Sequence, residues 1–135
     1  MTIEFQDGDT MDVTAIYGNS QMVDGVMRDV WRIIVPRSYK TKEELLAIFR
    51  DNPKKTCRIY TYGETPGLTG DPYTKKILSG QGYNIFISIQ EEEEKRVGIP
   101  GRLFREVVEK VYAIYIAQMT YDEYIQAFPS DIIEQ

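Results

Sequence analysis

The sequence predicts a single α+β domain over residues 1–135: a mainly antiparallel β-sheet or partly closed barrel, crossed by one helix at about 41–51 and followed by a short helix at about 121–127. Three observations carry this. Apolar and polar residues alternate with period two in several runs, as half-buried strands require. Two Asp-Gly pairs, Asp7-Gly8 and Asp24-Gly25, sit where tight turns are expected. Two Thr-x-x-Glu boxes, at Thr41 and Thr120, each open a helix that a proline closes within about ten residues. At 135 residues and 42% hydrophobic, the chain suits one core large enough to bury itself.

Thr2 to Phe5 reads as a short strand, and Asp7-Gly8 as a turn before Met11, Val13, Ala15 and Tyr17 alternate with Asp12, Thr14 and Ile16 in a second strand. Gly18-Asn19-Ser20 is expected to interrupt it with a bulge or bend. Asp24-Gly25 then predicts a two-residue hairpin, because both turn positions need positive φ.

The strand after that turn is the centre of the pattern. Met27, Asp29, Trp31, Ile33 and Val35 fall on one face, expected to be core, and Val26, Arg28, Val30, Arg32 and Ile34 on the other. Asp29 is a misfit beside the only tryptophan, since an unpaired buried carboxylate costs several kcal/mol. Arg28 and Asp29 are therefore expected to fix the start of the strand, with Asp29 accepting local donors and Arg28 opposite.

Pro36 ends the strand, and Thr41-Lys42-Glu43-Glu44 forms a capping box in which Thr41 and Glu44 satisfy each other's amides. Leu45, Leu46, Ile48 and Phe49 crowd one side of the helix, which Asn52-Pro53 stops. Thr56 to Tyr62 resumes alternation, with Cys57 expected to act as a small core hydrophobe.

Residues 63–82 hold five of the ten glycines and two of the six prolines. A connection this long predicts a mobile loop, with a short strand or turn at Thr74 to Leu78 as the alternative. Tyr83, Ile85, Ile87 and Ile89 then form the inner face of another strand, and Glu91 to Glu94 are expected to end it as a solvated turn. Val97 to Arg105 is a connection whose Leu103-Phe104 pair tucks under the sheet.

Residues 104–112 fit a helical stripe or a strand, whereas the β-branched and aromatic density from Val111 to Ile116 favours a strand apolar on both faces, hence central or covered by another subunit. Thr120-Tyr121-Asp122-Glu123 opens the last helix.

Chemistry is constrained by absence. Histidine is missing, which removes the commonest general base and zinc ligand. Cys57, the single cysteine, lacks an imidazole to activate it and cannot form an internal disulfide. No nucleotide-binding glycine loop is present, and Gly67-x-x-Gly70 with Lys75-Lys76 lacks the spacing to cradle phosphate. Asp7-Gly8-Asp9 with Asp12 lacks the closing glutamate of a calcium loop. No catalytic, metal or cofactor-binding residue is therefore assigned, and the chain is read as non-enzymatic. A formal charge of −5, from 21 acids against 16 bases, argues against nucleic acid, and no run of eighteen apolar residues suggests a membrane span. Synthesis in the cytoplasm is expected.

Ten tyrosines and five phenylalanines offer stiff contact surface. Tyr60 and Tyr62 share one strand face, and Tyr112, Ile114 and Ile116 another; these five are the candidate interface residues.

Phe5-x-Asp7-Gly8, a glycine at 18, then Asp24-Gly25-x-x-Arg28-Asp29 before an alternating strand, a short Glu-Leu-rich helix and a strand resemble small tail-associated structural proteins of phages and prophages of Gram-positive bacteria. Ala117-Gln118-Met119-Thr120-Tyr121 is similar to the segment following their last strand. The 63–82 stretch and the Glu91 to Glu94 run depart from that pattern. The resemblance implies a virion or tail-assembly component, made in the host cytoplasm, that binds itself, as a homo-oligomer, or other tail proteins. A rival expectation is an acidic cytoplasmic inhibitor or immunity-type protein that meets a basic partner with Glu91 to Glu94.

Overall fold

A computed structural model describes residues 2–53, 55–56, 59–62, 75–77, 84–97 and 106–127. Strands β1 (Thr2–Glu4), β2 (Thr10–Asp12), β3 (Ala15–Val23) and β4 (Val26–Pro36) precede helix α1 (Lys42–Phe49). Strands β5 (Tyr60–Tyr62), β6 (Lys75–Ile77), β7 (Asn84–Val97) and β8 (Glu106–Gln118) lead to helix α2 (Tyr121–Ala127). The strands form two open antiparallel sheets, ordered β2-β1-β5-β6 and β3-β4-β8-β7.

The core joins one face of the larger sheet to the smaller sheet and α1. Ile33, Val35, Ile89, Ile114 and Ile116 meet Ile3, Phe5, Met11, Val13, Leu45, Phe49 and Ile59. Fully burying each such side chain is worth about 1.5–3 kcal/mol. The helix is held as its sequence predicts: Thr41 Oγ1 accepts the Glu44 amide at 3.1 Å, and Glu44 accepts the Thr41 amide at 3.1 Å. It buries Leu45 and Phe49, the latter edge-on to Phe5 with centroids 5.8 Å apart.

Several boundaries differ from expectation. The alternating run from Met11 to Tyr17 is split between the two sheets, because the chain leaves β2 after Asp12 and enters β3 at Ala15, where the Thr14 amide donates to the Ile34 carbonyl at 2.8 Å. Gly18-Asn19-Ser20 does not interrupt a strand; it is the middle of β3, paired with Trp31, Val30 and Asp29. Thr56 precedes β5, in a turn, and Cys57 lies outside the described residues.

Glu91 to Glu94 do not end β7, which continues to Val97 against β8. A bulge between Phe86 and Ser88 also shifts its phase. Phe86 therefore packs with Ile89 on the core face, while Ile87, expected inside, is 40% exposed. Strand β8 resolves the ambiguous stretch from Glu106 onward as strand, and it is central, between β4 and β7.

Within 63–82, Lys75–Ile77 form β6 against β5. The remainder of that stretch, and the Leu103-Phe104 pair, lie outside the described residues.

Candidate interaction surface

The β3–β4 hairpin turns on Asp24 (φ 52°) and Gly25 (φ 77°), the positive pair that an Asp-Gly turn supplies. Its register runs from Val23 opposite Val26 to Ala15 opposite Ile34. On the face of Trp31 and Ile33, β4 is covered only from Trp31 onward. Met27, expected in the core, is 61% exposed, and Met22 directly across from it is 62% exposed. The alternation is intact, but the second layer stops short of this end.

The charged group buried here is Arg28, not Asp29. Arg28 is 4% exposed, and its guanidinium donates to the Val23 carbonyl (3.0 Å), the Gln118 carbonyl (3.1 Å) and both carboxylate oxygens of Glu123, Nη2 reaching Oε2 at 2.8 Å. Glu123 also closes the capping box of α2: its Oε1 accepts the Thr120 amide at 3.0 Å, and its own amide donates to Thr120 Oγ1 at 3.2 Å. Arg28 first, and then the Thr120 amide, hold the Glu123 carboxyl down at about 2. Glu123 in turn keeps the Arg28 guanidinium above its ordinary value. One cation thus ties the hairpin to the end of β8 and to α2.

Asp29 is exposed and accepts the Ser20 hydroxyl at 3.3 Å. Trp31 lies across Gly18; a Cβ on that glycine would collide with the indole ring. The Trp31 Nε1 is buried without a hydrogen-bond partner among the described residues. Two shallow depressions, one lined by Met27, Arg28, Gln118 and Met119 and the other by Gly18, Asn19 and Trp31, share Ser20 and Asp29.

On the opposite face of the sheet, Arg32 reaches across β8. It donates to Glu92 (2.5 Å), Glu94 (2.7 Å) and Tyr115 Oη (3.2 Å), and the Tyr115 hydroxyl donates to Glu92 at 2.7 Å. Burial alone would lower the Arg32 pKa, yet the carboxylates raise it. This network lies on the face where Ile34, Val111 and Ala113 are fully buried, and Tyr17 contributes a ring 5.5 Å from the guanidinium. Glu92 and Glu94 were legible as a same-face pair by their i, i+2 spacing. Their pairing with Arg32 depended on β7 running through the glutamates, which was not expected.

Asp7 and Asp9 likewise share a cation missed in the sequence. Lys55 Nζ sits 3.1 Å from Asp7 and 2.5 Å from Asp9, while the Asp9 amide donates to Asp7 at 3.0 Å. That backbone bond, with Lys55, lowers the Asp7 pKa. Among the described residues no three His, Cys, Asp or Glu side chains group to hold a metal ion, and no helix is long and apolar enough to cross a membrane.

The four candidate interface residues whose side chains are described do not come together as a surface. Ile114 and Ile116 are at most 1% exposed within the core, which removes them as contact residues. Tyr112 is half-buried against that core with Arg37 over its ring at 5.8 Å, Tyr60 is half-buried in β5, and the Tyr62 side chain lies outside the described residues. Among the described residues the large exposed apolar side chains are instead Tyr17, Met22, Val26 and Met27 on the hairpin, with Tyr39, Ile87, Val108 and Tyr121 elsewhere. Four of these eight lie within the eleven residues from Tyr17 to Met27. No family of proteins, curated protein or solved structure matches the chain.

Proposed function

We propose that the chain is a non-enzymatic structural or assembly protein of a phage or prophage tail, acting through protein–protein contacts of the β3–β4 hairpin. The observation that carries this is an exposed apolar pair near the hairpin turn, Met22 facing Met27, on an end that a buried Arg28 anchors rather than leaves to fray. Exposed apolar side chains concentrated on one element mark interaction sites. The resemblance to tail-associated proteins supports the same reading, since Asp24-Gly25-x-x-Arg28-Asp29 is this hairpin. Partners are other protein subunits, copies of itself or other tail proteins, met in the host cytoplasm and carried into a virion.

The inhibitor reading draws less support. Glu92 and Glu94 already serve Arg32, leaving Glu91 and Glu93 as the exposed pair of the run.

The test is to replace Met22 and Met27 together with Asp in the phage or prophage genome that encodes the chain. Loss of tailed, infectious particles, with the purified variant still folded, is the expected result. Normal particle yield and infectivity would refute the assembly role of the hairpin.

A further inference from the structure

Both outer strands of the larger sheet leave one edge unpaired among the described residues, and they treat it differently. Strand β7 carries a bulge at Phe86–Ser88 and exposed charges at Glu91, Glu93 and Lys95. Bulges and edge charges are the usual devices against edge-to-edge pairing. Strand β3 has none: Ala15 to Val23 is nine residues without a charge, a proline or a bulge, and six of them are exposed.

The order of residues along β3 is also self-complementary. Turned antiparallel about Asn19, Ala15 meets Val23, Ile16 meets Met22, Tyr17 meets Gln21 and Gly18 meets Ser20. Apolar residues fall opposite apolar ones at both ends, and small or polar ones meet at the centre. The backbone phase fits as well. A two-residue turn makes Val23 and Val26 a hydrogen-bonded pair, so alternation aims the amides and carbonyls of Ile16, Gly18, Ser20 and Met22 outward. Those are the groups a second strand must find.

We propose that the outer edge of β3 is a homodimer interface, in which two copies of this chain pair Ala15–Val23 antiparallel about Asn19 and join their four-stranded sheets into one continuous sheet. This deepens the assembly reading and rests on it, the partner being a second copy. The two Asn19 side chains face each other at the two-fold axis, in a non-hydrogen-bonded pair where side chains approach most closely. Like charges placed there must repel, and opposite charges attract.

Sedimentation at increasing concentration provides the test, using the full chain, Asn19→Lys and Asn19→Asp. The wild-type chain is expected to approach twice its monomer mass. Each variant alone is expected to stay monomeric, with the melting midpoint of the dilute wild-type chain, and an equimolar mixture to regain the doubled mass. In the wild type, amide exchange at Ile16, Gly18, Ser20 and Met22 is expected to slow at least tenfold from the dilute to the concentrated sample, a readout that needs no variant. A wild-type chain monomeric at every concentration overturns the pairing but leaves assembly with a different tail subunit standing. Self-association that persists in both variants, with those amides unprotected, also overturns it and leaves another self-contact to carry assembly.

Discussion

At one end of β4, Ile33 and Val35 are fully buried beneath the small sheet and α1; at the other, Met27 and Asp29, on the same face, stand in solvent. The difference lies neither in propensity nor in alternation, which are continuous along the strand. It lies in how far the second layer extends. What holds the uncovered end is one buried guanidinium satisfying two carbonyls and a carboxylate. The strand is thus secured by area at one end and by hydrogen bonds at the other, and the two can be broken separately.

The largest effect belongs to the covered end. Ile33→Ala is expected to destabilise the chain by about 3–4 kcal/mol, since a fully buried β-branched side chain leaves a cavity that a close-packed core relieves only in part. Urea unfolding checks this, and a loss comparable to that of Met27→Ala, expected at about 0.5 kcal/mol or less, would erase the distinction between the ends.

Arg28→Met tests the uncovered end. It leaves the Val23 and Gln118 carbonyls and the Glu123 carboxylate without this donor, at a cost of about 2–3 kcal/mol. Exchange of hairpin amides should accelerate before that of Ile33 to Val35. Uniform acceleration along β4 would mean that the anchor serves the whole fold rather than the hairpin.

Gly18→Ala comes next, at about 1–2 kcal/mol, because the new methyl group forces the Trp31 ring off the strand. Trp31 is the only tryptophan, so its fluorescence reports the displacement directly. An unchanged emission spectrum with unchanged stability would show that the ring moves freely.

How legible these features were depends on the range of the interaction behind each. The Asp24-Gly25 turn, both Thr-x-x-Glu boxes and the central position of β8 were readable because local geometry or composition dictates them. Met27 was misplaced because alternation names a face without saying where its cover ends. The bulge at Phe86–Ser88 and the continuation of β7 through four glutamates depend on cross-strand partners, Arg32 above all, sixty residues away in sequence. The buried Arg28 was assigned to the correct face, but its pairing with Glu123 joins positions 95 residues apart that no pattern in the sequence links.

The smallest effect concerns acid. The folded-state pKa of Glu123, about 2, lies below its ordinary value of 4.5, so the unfolded chain takes up this proton first as pH falls. The stabilisation is therefore complete above pH 4.5 and lost as pH falls from there towards 2. With its side chain 36% exposed, solvent screening reduces the effect to about 1 kcal/mol. Asp7, Glu44, Asp51 and Glu92 also have lowered values, so acid weakens the chain at several places in the same direction. Glu123→Gln isolates this one: the stability difference between wild type and variant should shrink by about 1 kcal/mol between pH 5 and pH 2. The amides lost first in the wild type should be those of Val26 to Asp29. A difference independent of pH would show that the charge of Glu123 adds nothing to stability through either Arg28 or the Thr120 amide.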